Sequence, residues 1–129
     1  MGFLNNLRNA LKEDLPESWI PLEEETQLEQ IKKDSFEKPA VIFKHSTSCG
    51  ISNMAKFQLE SGWDLGAQDL DFYYLDLWQH RPISNKIIDF FDIAHQSPQL
   101  MIIKNGTVVF DTSHHGVHLS GLKSALANI

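Results

Sequence analysis

The hydrophobic positions of this chain change repeatedly between the spacing of a strand and that of a helix. Short apolar runs rich in β-branched or aromatic residues predict strands, and apolar positions three or four residues apart predict amphipathic helices. The predicted strands cover 19–22, 40–44, 71–77, 99–104 and 107–111. The predicted helices cover 1–15, 23–33, 51–61, 83–94 and 119–129.

The order of these elements predicts an α/β fold with a mixed sheet. Alternating strands and helices make parallel strand pairs. The last two strands are joined by Asn105-Gly106, a strong signal for a tight antiparallel hairpin. The domain is therefore expected over 16–129, with an amphipathic helix over 1–15 as an N-terminal extension. In the helix over 51–61 we expect Ile51, Met54 and Ala55 to face the core.

Aromatic residues are expected to supply much of the core. The pairs Tyr73/Tyr74 and Phe90/Phe91 fall on a predicted strand and a predicted helix, where they are expected to pack inward. Trp63 and Trp78 follow predicted elements and are expected to pack at the rim of the core, with the edge of a pocket as the alternative.

Composition and charge narrow the range of functions. The chain has 129 residues and is 42% hydrophobic, which suits a single compact core. Eleven basic and seventeen acidic residues give a net charge of −6, and no basic run is present. These charges argue against binding to nucleic acid or to an anionic membrane surface.

The first residues have no charged start followed by an apolar block, so we expect no secretory signal. No apolar run is long enough for a membrane span. The chain has one cysteine and hence no internal disulfide, which is typical of a protein of the reducing cytoplasm.

That cysteine, Cys49, lies where a predicted buried strand ends and a predicted helix begins. Its neighbours are small or polar rather than apolar: Thr47, Ser48, Gly50 and Ser52. At a helix N-terminus a thiol faces unpaired backbone N–H groups and the positive end of the helix dipole, which favour the thiolate. We therefore predict that Cys49 is a nucleophile; the alternative is a small buried hydrophobic residue without chemistry.

Ser52 stands three residues after Cys49, where Cys-x-x-Cys proteins have a second cysteine. A pair of cysteines resolves its own mixed disulfide, whereas a single cysteine keeps the product until another thiol releases it. Ser52 is expected to donate a hydrogen bond to the thiolate, and Gly50 to support it at the helix start. The alternative role of Ser52 is ordinary first-turn polarity. His45 is a candidate for modulating the acidity of the thiol, or else simply ends the strand.

Three further histidines, His114, His115 and His118, lie close together near the C-terminus. Imidazoles can bind zinc, but no cysteine or carboxylate accompanies these at the spacing of a known metal site. We therefore expect solvated loop histidines and no metal.

Three segments carry a resemblance to a known family: 47–52 after a strand, 97–99 before the hairpin, and 113–114 after it. With the whole chain from about Trp19 onward, they resemble the monothiol bacilliredoxins, the YtxJ-like redox proteins of the bacillithiol system. Members usually have Thr-Cys-Pro-Ile-Ser, so Gly50 replaces a proline here. The resemblance implies a thioredoxin-like three-layer α/β/α sandwich with a mixed sheet, a cis-proline loop before the C-terminal hairpin and an extra N-terminal helix.

The resemblance also implies a reaction. Cys49 would attack the mixed disulfide between a client protein and bacillithiol, take the small thiol onto itself, and be regenerated by a second thiol. Ser52 would occupy the place of a resolving cysteine. Pro98 would follow a cis peptide bond and face the substrate, with Ser97 and Thr47 beside it; the sequence alone leaves an ordinary trans bond open. Bacillithiol is then a co-substrate, S-thiolated proteins are the partners, and no cofactor is tightly bound.

Two other functions stay open. Cys49-Gly50-Ile51-Ser52 is one residue from the Cys-Gly-Phe-Ser motif of monothiol glutaredoxins, which carry an iron–sulfur cluster with glutathione. This chain has Asp111-Thr112-Ser113-His114 where those proteins have a glycine pair. The other alternative is a thioredoxin-fold interaction protein whose cysteine does no catalysis.

Overall fold

Residues 15–129 are described by a computed structural model. The predicted helix over 1–15 lies outside the described residues except for Leu15, which packs against the core. The strands are β1 (Trp19–Pro21), β2 (Ala40–His45), β3 (Asp71–Asp76), β4 (Gln99–Lys104) and β5 (Thr107–Ser113). The helices are α1 (Thr26–Asp34), α2 (Gly50–Glu60), α3 (Arg81–Phe90) and α4 (Leu119–Ala127), with a short 3₁₀ helix at His114–Gly116.

The five strands form one mixed sheet in the order β1-β3-β2-β4-β5. The strands β1, β3 and β2 are parallel, and β4 and β5 are antiparallel additions. Asn105 and Gly106 form a two-residue turn in which both have positive φ, 53° and 81°. Such a turn matches the twist of a hairpin and suits asparagine followed by glycine. The predicted mixed sheet with a C-terminal hairpin is confirmed.

Helices cover both faces of the sheet, which gives the three layers expected of the fold. Alternate residues of β2 point to opposite faces, so Val41 and Phe43 belong to one core cluster and Ala40 and Ile42 to the other. The first cluster packs under α2 and α4 through residues that include Ala55, Leu59 and Leu122. The second packs under α1 and α3 through residues that include Leu28, Ile31, Ile83 and Ile87.

The prediction for the inner face of α2 is wrong at two positions. Ile51 and Met54 are 45% and 57% exposed, and only Ala55 of the three predicted residues is buried. The helix turns Ser52, Ala55 and Leu59 toward the sheet instead. Spacings of three and four residues define this face, and it includes a serine because that side chain has buried polar partners.

The start of α1 is also later than the acidic run suggests. The helix begins at Thr26, and Glu23 and Glu24 precede it in a loop. The side-chain oxygen of Gln27 accepts hydrogen bonds from the backbone N–H groups of Glu23 (2.8 Å) and Glu24 (2.9 Å). These bonds fix the loop in front of the helix, so its first turn starts three residues after the predicted position.

The ends of the parallel strands place the site. At one edge of the sheet β2 ends at His45, β3 ends at Asp76 and β4 begins at Gln99. In sheets of this type the loops at the carboxyl ends of parallel strands carry the functional groups. Within residues 15–129, no helix combines the length and the apolar character needed to cross a bilayer.

Candidate active site around Cys49

Cys49 caps the N-terminus of α2. Its backbone is extended, with φ −106° and ψ 124°, and the helix begins at the next residue. The Cys49 N–H donates to the Ser46 carbonyl (3.2 Å), and the Cys49 carbonyl accepts from the Asn53 N–H (2.9 Å). The thiol is free and partly exposed. The residue therefore lies at the positive end of the α2 dipole, in reach of a substrate.

The residues on either side of Cys49 are open to solvent. Thr47 is exposed, and its carbonyl accepts a hydrogen bond from the Asn53 side chain (3.2 Å), which ties the loop to α2. Gly50 is the first helical residue, and a Cβ at this position would meet no atom within 4 Å. A Cβ is therefore accommodated at this position, which is the first of the helix, where proline is favoured.

The Ser52 hydroxyl bonds to the end of β2 and the residue after it. Ser52 is fully buried, and its hydroxyl oxygen lies 2.7 Å from Nδ1 of His45 and accepts from the Ser46 N–H at 2.9 Å. Among the hydrogen bonds of residues 15–129, none joins Ser52 to Cys49. The expected direct bond from Ser52 to the thiol is absent from this geometry because the hydroxyl is used to hold His45 and Ser46.

The proton on the His45 ring decides what else Ser52 can do. If Ser52 donates to Nδ1, its only proton is used in that bond. If Nδ1 carries the proton and donates to Ser52, the hydroxyl proton is left for another acceptor. The buried His45–Ser52 pair thus connects the end of β2 to the first turn of α2, on either side of the loop over residues 46–49, the cysteine loop.

Replacing Ser52 with alanine is expected to lower the free energy of unfolding by about 1–3 kcal/mol, because it leaves His45 and the Ser46 N–H without this buried partner. Chemical denaturation followed by circular dichroism measures this change. Ser48→Ala is the matched control, since Ser48 is exposed in the same loop and a change there stays within about 0.5 kcal/mol. Equal stability of the two variants would contradict the role of Ser52 in holding the loop.

The loop with Ser97 and Pro98, the proline loop, precedes β4 at the same edge of the sheet. The peptide bond between Ser97 and Pro98 is cis. Pro98 is buried and Ser97 half-buried, and the Pro98 carbonyl accepts from the His114 N–H (3.0 Å). Because Lys44 of β2 pairs with Gln99 of β4, one further step along each strand brings the proline loop level with the start of the cysteine loop.

Two polar residues that the sequence analysis missed hold this loop. Gln99 is fully buried; its side chain donates to the Ala94 carbonyl (3.2 Å) and accepts from the Gln96 N–H (3.2 Å). Lys44 is also fully buried, and its Nζ donates to Nδ1 of His95 at 2.8 Å. The position of Lys44 at the end of an otherwise apolar strand is the sequence feature that could have identified it.

Burial sets the protonation of this pair. Desolvation lowers the pKa of Lys44 from 10.5 to about 8. Partial burial, and then the positive charges of Lys44 and Arg81, hold the pKa of His95 below its ordinary value. His95 is therefore the neutral acceptor of the lysine proton, and the proton of its ring lies on Nε2.

A groove runs from the first turns of α2 toward α4. Ile51 and Met54 line one side, and His114, His115 and His118 line the other, around a volume of about 160 Å³. His118 also caps α4, since Nδ1 accepts from the Gly121 N–H at 3.0 Å. In the part of the chain from 15 to 129, no three histidine, cysteine or carboxylate side chains are arranged to hold a metal ion.

This combination of sheet, helices and cysteine position defines a thioredoxin-fold protein of thiol redox chemistry. A solved structure described as a provisionally assigned oxidoreductase with a thioredoxin fold is 32% identical over 84% of this chain and 93% of that chain, with a TM-score of 0.70. A thioredoxin of Malassezia sympodialis (19% identity, 92% and 96% coverage, TM-score 0.66) shares the fold. So does one of Nicotiana alata (15% identity, 91% and 96% coverage, TM-score 0.66).

The family assignment is more specific than the fold. The family model of the monothiol bacilliredoxin BrxC matches residues 20–122 of this chain. The chain belongs to the monothiol bacilliredoxin family, as the residues around Cys49 predict.

Proposed function

We propose that this protein removes bacillithiol from protein cysteines, with Cys49 as the nucleophile. The observation that carries the proposal is the partly exposed thiol at the N-terminus of α2, with a serine in place of a second cysteine three residues later. Membership of the monothiol bacilliredoxin family supports bacillithiol as the small thiol. The clients are then proteins with bacillithiol-capped cysteines.

The reaction is an exchange of one disulfide for another. The Cys49 thiolate attacks the bacillithiol sulfur of the mixed disulfide, the Cys49–bacillithiol bond forms, and the client leaves as a thiolate. A second low-molecular-weight thiolate then attacks the bacillithiol sulfur on Cys49. That step releases a disulfide between bacillithiol and the second thiol, and it restores the Cys49 thiolate. No electrons are gained or lost overall, because each step breaks one S–S bond and forms another.

Ser52 has no chemical step in this scheme. It cannot form a disulfide, so the Cys49 adduct persists until an external thiol arrives. We place the reaction in the reducing cytoplasm, where the single cysteine of the chain stays a free thiol between cycles.

The test is the uncapping of a client protein. A client with one cysteine is prepared in a bacillithiol-capped and a glutathione-capped form, and each is mixed with the reduced protein. We expect the client mass to fall by one bacillithiol, at least about tenfold faster than it falls by one glutathione, which corresponds to about 1.4 kcal/mol of discrimination.

The two capped forms of one client are a matched pair, because the client surface is identical in both. Faster removal of glutathione would contradict the proposal and favour a glutaredoxin-like protein. If neither cap is removed, the domain is a binding module without this activity.

A further inference from the structure

Trp78 differs from the other two tryptophans of the chain. Trp19 is buried in the core, and Trp63 is half-buried and packs against it with ring centroids 5.3 Å apart. Trp78 is 58% exposed, and within residues 15–129 it packs against no other aromatic ring. It is the second residue after β3, at the edge of the sheet where the cysteine loop begins. An exposed tryptophan is uncommon without a partner, because it leaves a large apolar surface in water.

The Trp78 ring is held in place although it is exposed. Its indole N–H donates to Oγ of Ser46 at 2.8 Å, and its backbone N–H donates to the Asp76 carboxylate at 3.0 Å. The carbonyl of the same Ser46 accepts from the Cys49 N–H. One residue therefore joins the tryptophan ring to the backbone of the reactive cysteine. This ordering means that little conformational entropy is lost when a ligand covers the ring.

Arg81 completes the surface. Its guanidinium carbon lies 5.5 Å from the centre of the Trp78 ring, within the range of a cation–π contact. Within residues 15–129, no carboxylate forms an ion pair with Arg81. Arg81 is also the first residue of α3, so the positive end of that helix lies at the same place. The guanidinium N–H groups are thus available to a carboxylate from outside the chain.

We propose that Trp78 and Arg81 form the subsite that recognises the small-thiol cap, a cysteine derivative that carries a sugar ring and carboxylates. This inference rests on the proposed function. Bacillithiol has these parts, because its cysteine is joined to a glucosamine that bears malate. The C–H face of the sugar stacks on the indole, whose π-face is negative. The malate carboxylates pair with Arg81, and the thiol end points back to Cys49. Glutathione has carboxylates but no sugar to stack.

The test uses three symmetrical disulfides without any client: bacillithiol disulfide, glutathione disulfide and hydroxyethyl disulfide. For each, the rate of adduct formation on Cys49 is followed by intact mass. We expect Trp78→Ala and Arg81→Gln each to slow the reaction with bacillithiol disulfide about tenfold. The reaction with hydroxyethyl disulfide, which has neither sugar nor charge, is expected to change less than about twofold. Phe57→Ala is the control, since Phe57 is another exposed aromatic residue, at 61%.

A second readout does not depend on the reaction. In a Cys49→Ser background, bacillithiol disulfide is expected to change tryptophan fluorescence in a saturable way, and the additional change Trp78→Phe is expected to abolish this signal. If wild-type protein forms no bacillithiol adduct, the proposed function fails, and the titration still decides whether the subsite exists.

Three results would overturn the subsite. They are equal slowing with all three disulfides, no slowing with bacillithiol disulfide, and a fluorescence change that persists in Trp78→Phe.

Discussion

Cys49→Ser is expected to reduce bacillithiol transfer to the rate of the uncatalysed exchange. A serine hydroxyl is not ionised near neutral pH, so it does not attack a disulfide. Cys49→Ala removes the hydroxyl as well and is expected to give the same result. Client uncapping followed by intact mass measures both variants against wild type.

The fold is expected to survive both changes. Cys49 is partly exposed and forms no disulfide, so its side chain contributes little to the core. The free energy of unfolding should therefore stay within about 0.5 kcal/mol of wild type. Residual uncapping by folded Cys49→Ala above the uncatalysed rate would show that another group performs the exchange.

Lys44→Met is expected to change how stability depends on pH. The folded protein holds the pKa of Lys44 near 8, whereas in the unfolded chain the ordinary value is 10.5. Between these values the unfolded chain binds the additional proton, so a rise in pH stabilises the folded state through Lys44. As the pH rises through this window, the free energy of unfolding of wild type should increase by about 3 kcal/mol relative to that of Lys44→Met. Below pH 8 the difference between the free energies of unfolding of the two proteins should no longer change with pH.

Urea denaturation of both proteins at intervals from pH 7 to pH 10.5 measures this difference. Lys33→Met is the matched control, because Lys33 is exposed on α1. Its replacement should change the free energy of unfolding by the same amount at every pH. A Lys44→Met curve that stays parallel to wild type across the window would mean that the buried amine titrates as it does in the unfolded chain.

The strands and the hairpin could be predicted because each depends on local pattern. The apolar run of β2 and the Asn105-Gly106 turn allow few alternatives, since a strand and a type I′ turn are set by neighbouring residues. The place of Cys49 also follows from local order, because a cysteine between such a strand and a helix must cap that helix. The removal of bacillithiol is implied by the resemblance to the monothiol bacilliredoxins and not by these local patterns.

The inner face of α2 could not be predicted from hydrophobicity. Ile51 and Met54 are the more apolar residues, yet Ser52 is the one that is buried. Its burial depends on His45 and the Ser46 N–H, which reach it only after β2 and α2 are packed together. The spacing of hydrophobic residues does not reveal a buried hydrogen bond of this kind. It therefore predicts the face of α2 with Ile51 and Met54 as the buried one.

The residues that surround the site from other elements were missed for a related reason. Lys44 and His95 are 51 positions apart, and Trp78 and Ser46 are 32 apart. Each pair meets only because the order of the strands brings their ends to one edge of the sheet. The sequence predicts Trp78 at the rim of the core, with the edge of a pocket as the alternative. Nothing local in the sequence tells these two roles apart.

The most direct test of the central claim is the mass of the Cys49 peptide after one turnover. Reduced protein is mixed with an equal amount of bacillithiol-capped client, no other thiol is added, and the reaction is stopped with acid before proteolysis. We predict that the peptide with Cys49 gains one bacillithiol in step with its loss from the client. An uncapped client together with an unmodified Cys49 peptide would contradict the account.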